Sequence, residues 1–276
     1  MNEQVTGRVQ SEDGLEVDLE RLPFRTDKGI GARAAIGLLV LETDQTIEDE
    51  LRAIWPRDGV ALYAARLHND VQITPETLKQ MEGLIAPTTQ LLPFMVDLSV
   101  VAFACTSGAL VIGEDRVAEL VRSIRPTAKV TDPVTAAIAA LRSTGVKRVA
   151  LLTPYVREIN VRLRSALVAR GLDIPVMGSF NEPDDDIVAR ITPDSLLDAI
   201  VEIGKSAACD GVFVSCTSLR VAKIAEKAEA IIGKPVTSSN HALAWHMLRL
   251  AGIDDEIAGF GRLYRSKLAE EELSPC

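Results

Sequence analysis

Two short stretches decide the reading of this chain: VVAFACTSG at residues 100–108 and GVFVSCTSL at residues 211–219. Each is an apolar run that ends in Cys-Thr-Ser. Continuous apolar runs of this length suit parallel strands buried on both faces. Cys105 and Cys216 then fall at strand ends, just where a helix-forming segment begins. Working outward, three more segments recur in the same order in both halves. IGLLVLETDQTIEDEL (36–51) resembles VALLTPYVREINVRL (149–163), and TPETLKQMEGLI (74–85) matches TPDSLLDAIVEI (192–203). KVTDPVTAAIAAL (129–141) matches KPVTSSNHALAWHML (234–248). Matched segments in one order predict a duplication. Strand-like and helix-like stretches alternate, which is a βαβ pattern. The expectation is an α/β fold of two pseudo-symmetric lobes, each a mainly parallel sheet flanked by helices. The two Cys-Thr-Ser corners would face each other across a pseudo-twofold axis. Residues 1–30 read as a polar N-terminal arm, residues 31–132 with 240–276 as one lobe, and residues 133–239 as the other. The chain crosses near Pro133 and again near Asn240.

Composition excludes several classes. The chain has 276 residues, a net charge of −9 and 4% aromatic residues. An acidic chain lacks the basic face that nucleic acid requires, and the shortage of aromatics leaves no stacking platform. No apolar run approaches the roughly 18 residues of a membrane span, and the first residues hold no signal-peptide core. A cytoplasmic protein without nucleic-acid or membrane partners is expected. Four cysteines are too few for a disulfide framework, and none forms a Cys-x-x-Cys pair. No metal site is expected.

The chemistry sits at the two corners. In open α/β sheets, ligands collect at the carboxyl ends of strands. Unpaired amides of the following turn point there, and they can bind a carboxylate or lower a thiol pKa. Thr106 and Ser107 add hydroxyl donors at one corner, and Thr217 and Ser218 at the other. One such cysteine alone reads most simply as a buried filler before a helix cap. A matching pair has a specific use. One sulfur, as thiolate, removes a proton from one face of a carbon; the other, as thiol, returns a proton to the opposite face. No cofactor is needed. The same thiolate could instead attack carbon.

Other candidates carry less. Cys209 reads as a helix-end filler, and Cys276 is the final residue. His68 is expected in an exposed loop, while His241 and His246 share a helix at a spacing that does not place both on one face. Gly29-Ile30-Gly31 precedes a strand instead of following one, so it is not a nucleotide fingerprint. Asp184-Asp185-Asp186 reads as a loop of solvated charges. Arg220, beyond Cys216, could hold a carboxylate or pair on the surface.

The paired Cys-Thr-Ser corners, Thr153-Pro154-Tyr155 with Asn160, and the closing GFGRLY (259–264) resemble the aspartate/glutamate racemase superfamily. More narrowly, they resemble its branch of arylmalonate decarboxylase, maleate cis-trans isomerase and ectoine-utilisation proteins. The resemblance runs from about Ala34 to Tyr264. It implies a site between two lobes and cofactor-free chemistry, with Cys105 and Cys216 at the two catalytic positions. Tyr155 and Asn160 would orient the substrate. The decarboxylases keep only one of the two cysteines, so the pair here argues against a plain decarboxylase. The family's first loop often reads Pro-Ser-Ser-Asn-Thr. Here it is Leu41-Glu42-Thr43-Asp44-Gln45-Thr46, with Asp44 in the place of an Asn that grips a carboxylate. A carboxylate there repels a second substrate carboxylate and suits a positive or N–H-rich group. Asp44 could equally serve as a helix cap.

LETDQTIEDEL (41–51), with CTSLR and GRLY, resembles the ectoine-utilisation members, whose cyclic amidinium carboxylates would fit these groups. The resulting expectation is a cofactor-independent isomerase or racemase-like enzyme. Its substrate is a small carboxylate, and it acts as a homo-oligomer. A malonate-type decarboxylase, a maleate isomerase and a non-catalytic metabolite-binding protein are the alternatives.

Overall fold

The apolar runs become strands because both of their faces are covered. Ala34–Leu41 forms β1, buried almost throughout, and Val100–Ala104 forms β3, buried at every position. A computed structural model describes residues 22–56, 58–70 and 74–269. In the first half, β1 is followed by α1 (Ile47–Ile54), β2 (Val60–Leu67), α2 (Pro75–Gln80), α3 (Glu82–Gln90) and β3. Then come α4 (Thr106–Ile112), α5 (Glu114–Arg122), β4 (Lys129–Thr131) and α6 (Pro133–Ser143). The second half runs β5 (Arg148–Thr153), α7 (Arg157–Ala169), β6 (Asp173–Ser179), α8 (Asp185–Arg190), α9 (Pro193–Gly204) and β7 (Gly211–Val214). It ends with α10 (Ala225–Ile232), β8 (Val236–Ser238) and α11 (Ser239–Leu250).

The two sheets have the same plan. Four parallel strands lie in the order β2-β1-β3-β4, and four more in the order β6-β5-β7-β8. In each, the chain goes to one side of the first strand and then returns to the other. The reversal leaves a crevice beyond the carboxyl ends of the two central strands, where α/β proteins bind ligands. Cys105 follows β3 and Cys216 follows β7, so the corners occupy equivalent places. The two-lobed parallel α/β architecture is as expected.

Helix α11 joins the halves. Every residue from Ser239 to Arg249 is buried, Trp245 completely. The helix starts from β8 yet packs on α6 and against β3 and β4 of the other sheet. Lys129 of β4 donates to the Leu250 carbonyl at 2.9 Å. Its histidines and Arg249 find partners inside the protein. His241 contacts the Thr237 hydroxyl and the Phe260 carbonyl, and His246 contacts the Thr131 hydroxyl. Burial pushes both imidazoles down to about 4, so they are neutral structural groups. The Arg249 guanidinium donates to the carbonyls of Ile253, Asp255, Tyr264 and Ser266.

Local structure departs from expectation at several points. The stretch after Thr74 forms two helices, parted at Met81. The segment after Cys216 does not turn helical at once: a 3₁₀ turn at Ala222–Ile224 precedes α10. Asp184 caps a short helix, so the acidic run is not a loop. Of the expected arm, residues 1–21 lie outside the described residues, and residues 22–30 are exposed and without regular structure. Among the described residues no helix is long and apolar enough to cross a membrane.

Candidate active site

At the first corner Cys105 is the N-cap of α4. The Gly108 N–H donates to its sulfur at 3.2 Å, and the Ser107 hydroxyl lies 3.7 Å away. Gly108 is required for this approach, since a Cβ there would sit 3.0 Å from the sulfur and 2.7 Å from the Met81 methyl. At the second corner the Ser218 N–H donates to Cys216 Sγ at 3.4 Å, and the Tyr155 hydroxyl lies beside the same sulfur. The Cys216 N–H donates to Ser239 Oγ at 3.1 Å, while Ser239 Oγ stands 3.0 Å from Thr106 Oγ1. One serine of α11 therefore links the two corners. Cys216 also holds a positive φ of +157°, rare for a side-chain-bearing residue.

Both sulfurs face the same cavity, with Thr106, Ser107, Thr217, Ser218, Tyr155 and Asp44. Burial dominates the electrostatics. It pushes the Cys105 thiol up to about 11 and Cys216 to about 12, with Asp185 adding to both shifts. Both groups are neutral thiols at neutral pH. The amide and hydroxyl donors aimed at the sulfurs work in the opposite sense, toward thiolate. Burial likewise holds the Tyr155 hydroxyl well above its ordinary range, so it stays protonated and can donate.

A profile of the arylmalonate decarboxylase family matches residues 36–264. The chain belongs to the arylmalonate decarboxylase family. The family match covers both lobes and both corners. A maleate isomerase of Nocardia farcinica is 27% identical over 251 residues, covering 85% of this chain and 96% of that protein. An arylmalonate decarboxylase of Bordetella bronchiseptica is 34% identical over 132 residues, or 47% of this chain and 55% of that one. A crystal structure of the Nocardia farcinica maleate cis-trans isomerase, a mutant with a covalently bound succinylcysteine intermediate, aligns at 25% identity and a TM-score of 0.75. It covers 84% of this chain and 98% of that one.

Within this arylmalonate decarboxylase family member, one expected site residue lies elsewhere. Asn160 does not line the cavity. Its amide oxygen accepts from the Thr153 hydroxyl at 2.5 Å, and its nitrogen donates to the Tyr155 carbonyl at 2.7 Å. The strand end and the Tyr155 turn consume the side chain, so it supports Tyr155 instead of facing a ligand. Arg220 is also spent elsewhere, on the Arg190 and Ile191 carbonyls. Asp44 serves the start of α1 with one oxygen and lines the cavity. Its Oδ1 accepts from the Thr46 and Ile47 amides, both at 2.8 Å, while its buried Oδ2 has no hydrogen bond of good geometry, only the Thr217 hydroxyl beside it.

Three contributors escape the sequence patterns. Asp185 reaches the cavity and accepts from Ser218 Oγ at 2.9 Å. Ser239 follows the second KPVTS segment, which marks it only as a helix start. Glu50 of α1 accepts from the Ala222 N–H at 2.7 Å and from Asn240 at 3.0 Å, and Asn240 also donates to the Thr217 carbonyl at 2.7 Å. This strut braces the Cys216 corner from the opposite lobe. Burial pushes Glu50 up to about 7. Among the described residues no cluster of His, Cys, Asp or Glu could hold a metal ion.

Proposed function

We propose that this chain is a cofactor-independent isomerase or racemase-like enzyme that moves a proton across a small carboxylate substrate. The observation that carries this reading is the pair of sulfurs at equivalent strand ends, facing one cavity from opposite lobes. Turnover starts from the enzyme form in which one of the two sulfurs has given its proton to solvent; that thiolate takes the proton from the substrate carbon and becomes a thiol. The resulting carbanion is conjugated with the carboxylate, whose oxygens accept from the Thr and Ser hydroxyls at the corners. The opposite thiol then donates its proton to the other face and becomes the thiolate. Hydrogen bonds from Gly108 at one sulfur, and from Ser218 at the other with the Tyr155 hydroxyl beside it, stabilise whichever is charged.

The related maleate isomerase, with its succinylcysteine intermediate, supports a variant of this chemistry in which one sulfur adds to a carbon–carbon double bond. Decarboxylation, which the family name suggests, requires a proton donor at one face only. Two cysteines favour transfer between faces. The likeness of LETDQTIEDEL to ectoine-utilisation proteins makes ectoine and hydroxyectoine breakdown the first setting to try, in a reducing cytoplasm compatible with free Cys105, Cys209 and Cys216. We also propose a homo-oligomer. Leu91, Phe94 and Met95 stand strongly exposed along one connection, an apolar surface that suits self-association; light scattering tests it.

The deciding experiment is turnover in deuterated water, read by proton NMR over a panel of small carboxylates. Solvent deuterium should enter the product at the inverted or isomerised carbon. Cys105→Ser and Cys216→Ser should each lose roughly 100-fold or more. Full activity in both variants would sink the two-thiol mechanism, and carbon dioxide release would reassign the enzyme as a decarboxylase.

A further inference from the structure

The cavity that receives the two thiols is lined with acids. Asp44 comes from the loop after β1, Asp185 from α8 of the other lobe, and Asp70 stands at the rim. Among the described residues lining it there is no lysine, arginine or histidine. This is an unusual wall for a site that must hold a carboxylate. Ser218 satisfies one Asp185 oxygen. Asp44 is only 4% exposed, and its buried Oδ2 has only the Thr217 hydroxyl beside it, without good hydrogen-bond geometry. A buried carboxylate oxygen so poorly partnered is costly, and this one belongs to a residue that lines the cavity.

We propose that Asp44 and Asp185 form a cation subsite, one carboxylate from each lobe, that receives an N–H-bearing cationic group of the substrate. The proposal rests on reading the cavity as the substrate site and adds the class of substrate: a zwitterion with a carboxylate and a nearby ammonium or amidinium. The carboxylate end goes to the hydroxyls at the two corners, and the cationic end to the aspartates. A dicarboxylate of the kind named for the related isomerases would set its second charge against these acids.

The arrangement also bears on how a thiol becomes a nucleophile or base. Asp185 and Asp44 both add to the upward shift at Cys105, and Asp185 adds to that at Cys216. A bound cation cancels these charges at the moment the thiolate is needed. It also acidifies a proton on the carbon to which it is attached. Substrate binding thereby activates the sulfurs, while the unliganded enzyme keeps them as unreactive thiols.

A pair of small thiol reagents tests the field directly, without a substrate. One is 2-aminoethyl methanethiosulfonate, which is cationic; the other is 2-sulfonatoethyl methanethiosulfonate, which is anionic. Modification of Cys105 and Cys216 is followed by peptide mass spectrometry on the whole chain. Relative to their ratio on a free thiol, the cationic reagent should be faster by roughly 10-fold or more. Asp44→Asn and Asp185→Asn should each shrink that preference by several-fold. Asparagine retains an acceptor oxygen at both positions, so the local hydrogen bonds can survive. Faster reaction with the anionic reagent, a ratio unmoved by both variants, or no modification by either reagent would overturn the subsite.

A second arm separates the cation types. Ectoine carries a ring amidinium, pipecolate a ring ammonium, and cyclohexanecarboxylate the same ring size with no cation. Protection of the thiols by ectoine or pipecolate, and not by cyclohexanecarboxylate or maleate, is the expected order. Protection by maleate above both zwitterions would overturn the proposal. Deuterium exchange reports the reaction separately, so loss of the two-thiol mechanism would not be mistaken for loss of the subsite.

Discussion

Ser239 holds Cys216 by its backbone: the Cys216 N–H donates to Ser239 Oγ at 3.1 Å, with both residues buried. The same hydroxyl stands 3.0 Å from Thr106 Oγ1. Ser239→Ala leaves a buried amide with no acceptor, which costs about 1–3 kcal/mol. Denaturant unfolding should show that loss. Activity should fall beyond what the unfolded fraction explains, because the corner loses its anchor. Unchanged stability would mean that another acceptor replaces the hydroxyl.

Tyr155 and Asn160 form a graded pair. Tyr155→Phe removes the hydroxyl beside Cys216 Sγ and leaves the ring in place. Turnover should fall by roughly 10- to 100-fold with little change in melting temperature. Asn160→Ala removes the amide that ties Thr153 to the Tyr155 carbonyl. It should destabilise by about 1–2 kcal/mol and lower turnover less than Tyr155→Phe. Steady-state kinetics beside thermal melts separate the two. An Asn160 variant with intact stability and a larger kinetic loss would place its amide on the substrate instead.

Gly108→Ala should leave the fold intact and damage the first corner. The added methyl would press on Cys105 Sγ at 3.0 Å and on the flexible end of Met81. Met81 can shift; the sulfur cannot without leaving its amide donor. A loss of roughly 10-fold or more in turnover is expected, with Cys105 alkylation altered and Cys216 alkylation unchanged. Equal change at both cysteines would argue for a general loosening.

The part of the stability that Glu50 contributes should fall as pH rises through the neutral range, against the buried imidazoles of His241 and His246, whose contribution grows as pH rises from about 4 to 6.5. Burial raises Glu50 from 4.5 to about 7, so folding favours its protonated form. The stabilisation is fully present below about 4.5 and is lost as pH climbs through about 7. Asp132, raised from 3.8 to about 6, acts in the same direction over a lower window. The stability difference between Glu50→Gln and the parent should move in favour of the variant by up to about 3 kcal/mol between pH 5 and pH 8. For Asp132→Asn the difference should move in the same sense over the lower part of that range alone. A Glu50→Gln profile parallel to the parent would show that Glu50 does not titrate in that window.

Much of this architecture is legible in the residues themselves. The run at Ala34–Leu41 is apolar at every position because β1 has neighbours on both faces and both edges. The matched corners reveal the twin sheets because the same topology needs the same turn chemistry at the same place. Burial of charge is harder to read. Glu50 sits in a helix whose first turn holds Glu48, Asp49 and Glu50; its spacing from Ile47 and Ile54 puts it on the buried stripe, but nothing local tells which groups it meets there. Asp185 is hidden in the same way within Asp184-Asp185-Asp186: one caps, one pairs with Arg190 and one turns inward. These choices are made by contacts across the cleft, far apart in the chain. Asn160 is the reverse case: its amide is engaged by the Thr153 hydroxyl and the Tyr155 carbonyl, partners that no local pattern announces.

The placement of α11 has a consequence for synthesis. This helix lies against β3 and β4, but it is encoded after the whole second sheet. The first sheet therefore leaves the ribosome with one flank bare, and its apolar covering arrives some hundred residues later (at roughly 5–20 residues per second, a wait of several seconds). The first half cannot finish packing on its own, and a truncation before α11 would leave β3 and β4 without the helix that covers them.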